Sequence, residues 1–247
     1  MQQTRLNAGS RRLAAGSILL ATAVCWQQLD NTGGMSRPGA LRAHFQFKAD
    51  GKRIAYCRIR KNGCSTIQRF IVKTSPFNID GREDGFAFLR QRHRVRSLGA
   101  LRAADHRILV YRDPVERIRS VYVNKFLQRQ GSTDLLGSYH LVTGKDPDEA
   151  SFEDFILDYV SKLKDVPVDP HVWPQYWHLC NVIYDRAFPL DNLYEAMLQM
   201  IGEDMAARFF QTKVNSSADV ALDIGKEIRA RISEIYSEDF QMIRRII

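Results

Sequence analysis

The segment RIAYCRIRKNGCSTIQRFIV, residues 53–72, indicates the class of fold. Its opening residues have the pattern of a β-strand, predicted over 54–59, and its closing residues predict a helix over 66–73. The polar turn KNGCST, residues 61–66, lies between the two. A strand, a tight turn and a helix N-terminus in succession can bind phosphate groups, because the first amides of a helix have no acceptors within it.

This turn differs from the phosphate loop of nucleotide triphosphatases, in which a lysine follows the last glycine. Here Lys61 precedes Gly63. Gly63 permits close approach of the backbone, the helix that follows favours a negative group, and Lys61 adds a positive charge. From spacing alone, a surface lysine beside an ordinary left-handed turn remains an open alternative. The residues assigned to this anion site are Lys61, Asn62, Gly63, Cys64, Ser65 and Thr66.

A second segment predicts another anion site at the same edge of the sheet. RILVY, residues 107–111, is the continuous apolar run typical of a buried parallel strand, and Arg112 follows it directly. Asp113 then fits the N-cap of a helix, in which Ser120 lies about 9 Å along the axis. The Arg112 guanidinium and the Ser120 hydroxyl could share one phosphate. The alternative is that Arg112 pairs with Asp113 and that Ser120 is a neutral helix residue.

Strand-like and helical patterns alternate along the rest of the chain. A further buried strand is predicted at 180–185 and a long final helix at 218–236. Other helices are predicted at 85–92, 113–131, 151–163, 191–201 and 203–211. This alternation predicts the α/β class, with a single domain over residues 47–247 in which helices flank a central parallel β-sheet.

The first 46 residues read as an N-terminal apolar segment and a linker. Residues 13–26 are largely apolar, and residues 27–46 are rich in Gly, Ser, Asn and Pro. The apolar run is shorter than the ~20 residues that cross a bilayer. A signal peptide, a short anchor and an amphipathic helix all remain open, and the last two predict peripheral membrane contact through residues 13–26.

Charge and cysteine content restrict the partners. The net charge of +8 and the pI near 9.4 favour anionic partners such as nucleotides, acidic glycans, nucleic acid or an anionic membrane. The four cysteines show no CxxC spacing, so we interpret them as reduced thiols in a cytosolic protein. No Cys/His cluster has the spacing of zinc ligands, and we predict no metal site.

The two anion-site segments together resemble the carbohydrate sulfotransferases, in particular the branch of chondroitin 4-sulfotransferases and HNK-1 sulfotransferase. RKNGCSTI, residues 60–67, is similar to the family's 5′-phosphosulfate loop, approximately PKxxCTxW, but has Arg60 in place of Pro and Ile67 in place of Trp. Lys61 and Cys64 are retained, and Ser65 keeps a hydroxyl where the motif has Thr. RDPVERIRSVYVNKF, residues 112–126, matches the family's 3′-phosphate motif, approximately RDPxERxxSxYxxKF, nearly throughout.

The resemblance continues downstream. SFEDFI (151–156) is similar to the family's FEEF helix, and DPHVWPQYWHLC (169–180) to its HxxPQ segment. Residues 184–193 resemble its YDxxGKxENL stretch, and KVNSS (213–217) and IYSEDFQMI (235–243) resemble its C-terminal signatures. The resemblance therefore covers nearly all of the chain that follows the linker.

This resemblance implies a P-loop-NTPase-like sulfotransferase fold. It also implies transfer of a sulfuryl group, without a metal, from 3′-phosphoadenosine 5′-phosphosulfate (PAPS) to a carbohydrate hydroxyl, which leaves 3′-phosphoadenosine 5′-phosphate (PAP). Residues 61–66 would hold the 5′-phosphosulfate, with Lys61 stabilising the leaving phosphate oxygen. Arg112 and Ser120 would bind the 3′-phosphate. Ser217 is assigned to the nucleotide as well, although it also fits the N-cap of the final helix.

A sugar hydroxyl is a poor nucleophile, so a general base is expected. His93 is the first candidate, because related glycosaminoglycan sulfotransferases carry a base in the region before the 3′-phosphate motif. His171 is the second, because it lies in the family-like segment 169–180, where positioning of the acceptor is the other role open to it.

Other functions remain as alternatives. They are a sulfotransferase for a non-sugar acceptor, a P-loop-type kinase, and a non-catalytic anion- or glycan-binding protein. Nucleic acid is not an expected partner, because nucleic-acid binding gives no reason for two anion sites on adjoining strand ends. PAPS is made in the cytosol, so we expect a cytoplasmic protein that contacts the membrane at most peripherally.

Overall fold

In the part of the chain that the structure describes, the centre of the fold is a four-stranded β-sheet whose strands lie in chain order. The strands are β1 (His44–Ala49), β2 (Lys52–Cys57), β3 (His106–Tyr111) and β4 (Arg186–Pro189). β1 and β2 form an antiparallel hairpin, whereas β2, β3 and β4 run parallel to one another. The parallel strands therefore end at one edge of the sheet, at Cys57, Tyr111 and Pro189.

The structure is a computed structural model that describes residues 39–77, 85–131, 133–211 and 220–246. Two predicted features, the apolar run 13–26 and Ser217, lie outside the described residues. A 3₁₀ turn at Ala40–Ala43 leads into β1, so the C-terminal part of the stretch predicted as linker, residues 27–46, belongs to the folded domain. Within the described ranges, the helices are too short or too polar to cross a membrane.

Ten helices surround the sheet in the described part of the chain. They are α1 (Cys64–Lys73), α2 (Gly85–Phe88), α3 (Leu98–Arg102), α4 (Pro114–Tyr122), α5 (Thr133–Thr143), α6 (Phe152–Asp154), α7 (Leu193–Ile201), α8 (Glu203–Phe210), α9 (Lys226–Ile235) and α10 (Ser237–Ile246). Three of them continue directly as π-helical turns, α2 through Leu89–His93, α4 through Val123–Leu127 and α6 through Phe155–Tyr159.

Local sequence explains where the main helices start. The Asp113 side chain accepts a hydrogen bond of 3.0 Å from the Glu116 amide, and Pro114 occupies the first position of α4. At α6, Ser151 and Asp154 form a reciprocal capping box. The cap at Asp113 agrees with the one predicted from the sequence.

The sheet is apolar on both faces, which explains why β3 reads as an unbroken apolar run. Ile108 and Val110 pack with α1, α7 and α8 on one face, whereas Leu109 and Tyr111 pack with α3 and α10 on the other. A separate core joins α4, α5, α6 and α9. Its buried aromatic members are Tyr122, Phe126, Tyr139, Phe152, Phe155, Tyr159, Trp177 and Tyr236.

The predicted α/β class and the central sheet flanked by helices are confirmed, with the difference that β1 pairs antiparallel to the otherwise parallel strands. The strand predicted at 180–185 is wrong, because β4 begins only at Arg186. Residues 180–184 are held by local bonds instead, from the Cys180 amide to the Tyr184 hydroxyl and from the Val182 amide to the Cys180 carbonyl. The final helix predicted at 218–236 is also divided differently, since α9 ends at Ile235 and α10 follows.

Candidate active site

The turn between β2 and α1 lies at the carboxyl edge of the sheet. Lys61 and Gly63 both have a φ of 70°. A Cβ atom on Gly63 would lie 2.8 Å from Leu193 Cδ2 and 2.9 Å from Leu190 Cδ1. The left-handed backbone conformation favours glycine at this position, and a side chain here would also have to displace the two leucines.

Asn62 fastens this turn to the neighbouring strand. Its side chain is fully buried, and Nδ2 donates to the Val110 carbonyl at 2.9 Å and to Gln175 Oε1 at 2.6 Å. Its backbone amide donates to the Ile59 carbonyl at 3.3 Å. Since these donors are engaged within the protein, the structure shows Asn62 holding the turn in place, and its predicted contact with the anion stays a prediction.

The first turn of α1 supplies the amides that the sequence predicted. The first intrahelical bond runs from the Ile67 amide to the Gly63 carbonyl at 3.1 Å, so the amides of residues 64–66 precede the helical ladder. Ser65 is exposed and Thr66 is buried, so only the Ser65 hydroxyl faces solvent. The helix N-terminus also carries a partial positive charge, which favours an anion at this edge.

Lys61 lies in a strongly positive environment. Burial lowers the pKa of its ammonium group to about 8, the neighbouring Cys64 thiol opposes this shift, and the cations Lys125 and Arg112 reinforce it. Lys125 is held by its Nζ atom, which donates to the carbonyls of Gln130 at 2.5 Å and Gly131 at 2.6 Å. An anion bound here would relieve the repulsion between these cations.

Cys64 shares this environment. Burial raises the pKa of its thiol, but Arg58, a backbone hydrogen bond at Lys61 and the charges of Lys61 and Arg60 outweigh burial and hold the pKa below its ordinary value. The lowered pKa of this thiol is thus a consequence of the positive potential around the turn.

The structure brings the two predicted anion segments together. Arg112 directly follows β3, and its Nη1 atom lies 3.4 Å from the Lys61 carbonyl oxygen. Ser120 lies further along α4 and is 3% exposed. Both segments therefore contribute to one edge of the sheet, as the sequence predicted from their positions after two parallel strands.

Gln175 joins the two segments and was not among the predicted site residues. Its Oε1 atom accepts from Asn62 and also from the Arg112 amide at 3.0 Å, and its Nε2 atom donates to the Arg112 carbonyl at 2.8 Å. The residue is fully buried. Its place in the segment that resembles the HxxPQ motif was the one sequence signal that could have identified it.

His171 lies beside the same cations. Its Nδ1 atom is 2.6 Å from Asp169 Oδ1. Burial lowers the pKa of the imidazole below its ordinary 6.5, the hydrogen bond to Asp169 opposes this shift, and the charges on Arg60 and Lys125 favour it. The structure therefore places this predicted base, together with the unpredicted Asp169, near the positive turn.

His93 is placed elsewhere. Its Nδ1 atom lies 2.9 Å from the Gln46 carbonyl, and its Nε2 atom lies 2.9 Å from the Ser75 hydroxyl. Ser75 follows the C-terminus of α1, whereas the anion turn precedes its N-terminus. Because the ten residues of α1 rise about 15 Å, Ser75 and the turn are separated by about that distance along the helix axis. Both nitrogens of His93 are engaged and the turn lies a helix length away, so the structure does not bring His93 together with the anion turn, and its role as the base stays a prediction.

These observations define an α/β protein with a cluster of cations beside a helix N-terminus at the carboxyl edge of its sheet. In the ranges that the structure describes, His, Cys, Asp and Glu side chains form no group of three that could hold a metal ion. Residues 44–243 match the model of the sulfotransferase family, whereas no curated protein and no solved structure matches the chain. Because the match spans most of its 247 residues, the protein belongs to the sulfotransferase family and is a sulfuryl-transferring enzyme.

Proposed function

We propose that this sulfotransferase transfers the sulfuryl group of PAPS to a hydroxyl group of a carbohydrate acceptor. The observation that carries the proposal is the contact of Arg112 with the Lys61 carbonyl. It sets two anion-binding segments side by side, as a donor with a phosphate at one end and a phosphosulfate at the other requires. The similarity of residues 60–67 and 112–126 to the carbohydrate sulfotransferase motifs supports this donor and this acceptor class.

In this mechanism Lys61 and the amides of residues 64–66 bind the 5′-phosphosulfate. The acceptor oxygen attacks the sulfur while the bond from sulfur to the 5′-phosphate oxygen breaks, so negative charge grows on that phosphate oxygen and PAP departs. Groups already oriented toward a developing charge stabilise the transition state more than the ground state. Arg112 and Ser120 bind the 3′-phosphate, which does not react.

His171 removes the proton from the acceptor hydroxyl. Asp169 accepts from Nδ1, so Nε2 is the nitrogen that takes the proton, and the resulting imidazolium is stabilised by the neighbouring carboxylate. Burial keeps the pKa of His171 below 6.5, so the ring is neutral and able to act as a base at neutral pH.

The test is to incubate the purified protein with labelled PAPS and separate panels of glycans, lipid-linked sugars, tyrosine peptides and phenols. We expect label on a sugar, with turnover reduced ~100-fold or more in Lys61→Ala. Lys52→Ala changes an exposed lysine of β2 and serves as the matched control. Label on a peptide or phenol would show that the acceptor is not a carbohydrate. Magnesium-dependent transfer from ATP would show that the protein is a kinase. Cytoplasmic location and membrane contact through residues 13–26 remain predictions.

A further inference from the structure

We propose that Gln175 is a positioning residue that fixes the spacing of the two ends of the donor site and so couples them in nucleotide binding. This inference rests on the proposed function, because it takes residues 61–66 and Arg112 as the two ends of one nucleotide site. It concerns the connection between the ends, to which neither the sequence motifs nor the family match assigns a residue.

The carboxamide of Gln175 links parts of the chain that are far apart in sequence. Its oxygen accepts from Asn62 Nδ2, 113 residues away, at 2.6 Å and from the Arg112 amide, 63 residues away, at 3.0 Å. Its nitrogen donates to the Arg112 carbonyl at 2.8 Å. One side chain therefore forms hydrogen bonds with both the amide and the carbonyl of Arg112, as a neighbouring strand would. The same side chain also holds the turn that carries Lys61.

The carboxamide of Gln175 suits these contacts because its acceptor and its donor are two separate atoms. The oxygen accepts two hydrogen bonds while the nitrogen donates one, whereas a hydroxyl has a single atom for both roles and an apolar side chain has neither. The other end of the link is equally specific, because the second bond of Asn62 Nδ2 goes to the Val110 carbonyl at 2.9 Å, within β3. The turn is thus held against both the end of β3 and Gln175.

Gln175 is itself held by the C-terminal helix α10. Asp239 is fully buried, and its two carboxylate oxygens accept from the amides of Gln175 at 2.8 Å and Tyr176 at 3.0 Å. Arg117 supports the same segment, donating to the carbonyls of His171 at 3.1 Å and Trp173 at 2.7 Å. The backbone from 171 to 176 is therefore fixed on both sides, and it carries the coupling residue together with the proposed base.

The functional consequence follows from the geometry of a two-ended ligand. When one end of PAP is bound, the other end gains affinity only if its binding groups already lie at the matching distance. Gln175 sets that distance, because it ties the turn of the 5′ site to the strand end of the 3′ site. Loss of its carboxamide should leave each end able to bind a phosphate but remove most of the gain from binding both.

The experiment compares three nucleotides by calorimetry: PAP, AMP with the 5′-phosphate alone, and adenosine 3′-phosphate with the 3′-phosphate alone. In the native protein we expect PAP to bind far more tightly than either monophosphate. In Gln175→Met, which retains the side chain's length, the ratio of the AMP and PAP dissociation constants should fall at least ~10-fold while the dissociation constant of AMP changes less than ~3-fold. Asn62→Ala removes the hydrogen bond between Asn62 and Gln175 from its other end. This variant is used for the test if Gln175→Met does not fold.

Ile232→Ala in α9 controls for a general loss of stability, because Ile232 is fully buried in the core that α9 shares with α4, α5 and α6. It should lower the melting temperature and leave the PAP-to-AMP ratio unchanged. A ratio retained in both Gln175→Met and Asn62→Ala would overturn the coupling and leave the proposed function intact. A native protein that does not distinguish PAP from AMP would overturn the donor site itself, and the coupling with it.

Discussion

Oδ1 of Asp169 accepts a hydrogen bond from the backbone amide of His171 at 2.7 Å and lies 2.6 Å from Nδ1 of the same residue. One carboxylate oxygen thus fixes both the main chain and the ring. Because an ionised carboxylate only accepts hydrogen bonds, Nδ1 carries the proton and Nε2 is the basic nitrogen. The tautomer needed for proton abstraction is therefore present before an acceptor binds.

The pH dependence of the rate tests this pair. The neutral form of His171 is the active one, so kcat/KM should fall as the pH drops through its pKa, which burial places below 6.5. Asp169 raises that pKa, so Asp169→Asn should move the acid limb to still lower pH and reduce kcat by about 10-fold. His171→Ala should reduce kcat ~100-fold or more and leave PAP affinity within about 3-fold. An acid limb that stays in place in Asp169→Asn would contradict the pairing.

His93 provides the contrast. His93→Ala removes two buried hydrogen bonds, to Gln46 and Ser75, and should lower the free energy of unfolding by about 1–3 kcal/mol. Because His93 is remote from the turn, kcat at a temperature where the variant is folded should stay within about 3-fold of the native value. Denaturant unfolding and steady-state kinetics on the same preparation separate the two effects. A large loss of kcat without a loss of stability would instead support His93 as the general base.

Nucleotide affinity should depend on the protonation of Lys61. Its pKa is lowered to about 8, and only the protonated form attracts the donor's anion. The affinity for PAP should therefore decrease as the pH rises above about 8, approaching a 10-fold loss per pH unit while one proton is coupled to binding. Calorimetric titrations between pH 7 and about 10 measure the effect.

Two variants identify the group responsible. Lys61→Arg keeps its charge throughout this range, so its affinity should be nearly independent of pH. Cys64 can also ionise here, and its thiolate would repel the donor, so Cys64→Ser should retain the part of the dependence that belongs to Lys61. A slope that persists in Lys61→Arg and disappears in Cys64→Ser would assign the effect to the thiol.

Arg112 should recognise the 3′-phosphate. Loss of a charge-assisted hydrogen bond costs about 1.5–3 kcal/mol, so Arg112→Ala should weaken PAP binding by roughly 10- to 150-fold. AMP lacks the 3′-phosphate and should bind nearly as before. Arg102→Ala, at an exposed arginine of α3, is the matched control. Equal losses for PAP and AMP would place the Arg112 side chain at the 5′ end instead.

Much of the central fold could be predicted from local sequence. The apolar run of β3 and the capping residues of α4 are local signals, and both elements appear where they predict. The two anion segments could also be brought together from sequence, because parallel strands end at the same edge of their sheet. Their contact through Arg112 and Lys61 follows from this rule.

Other features depend on contacts that no local pattern contains. The bond between Gln175 and Asp239 spans 64 residues and joins the 3₁₀ turn at Gln175–His178 to α10. Residues 180–184 resemble a strand because they are apolar and buried, but their amides bond locally. His93 was selected by its distance along the chain, which does not indicate that it lies at the far end of α1.

The turn that carries Lys61 is immobilised within the protein by the buried side chain of Asn62 and by the leucines packed against Gly63. A loop with one ordered conformation loses little entropy on meeting a ligand, and association needs no slow closing step. The shape of this turn is therefore a suitable template for inhibitors. Rigid dianionic compounds with phosphate mimics at the spacing of the two strand ends should bind rapidly and tightly.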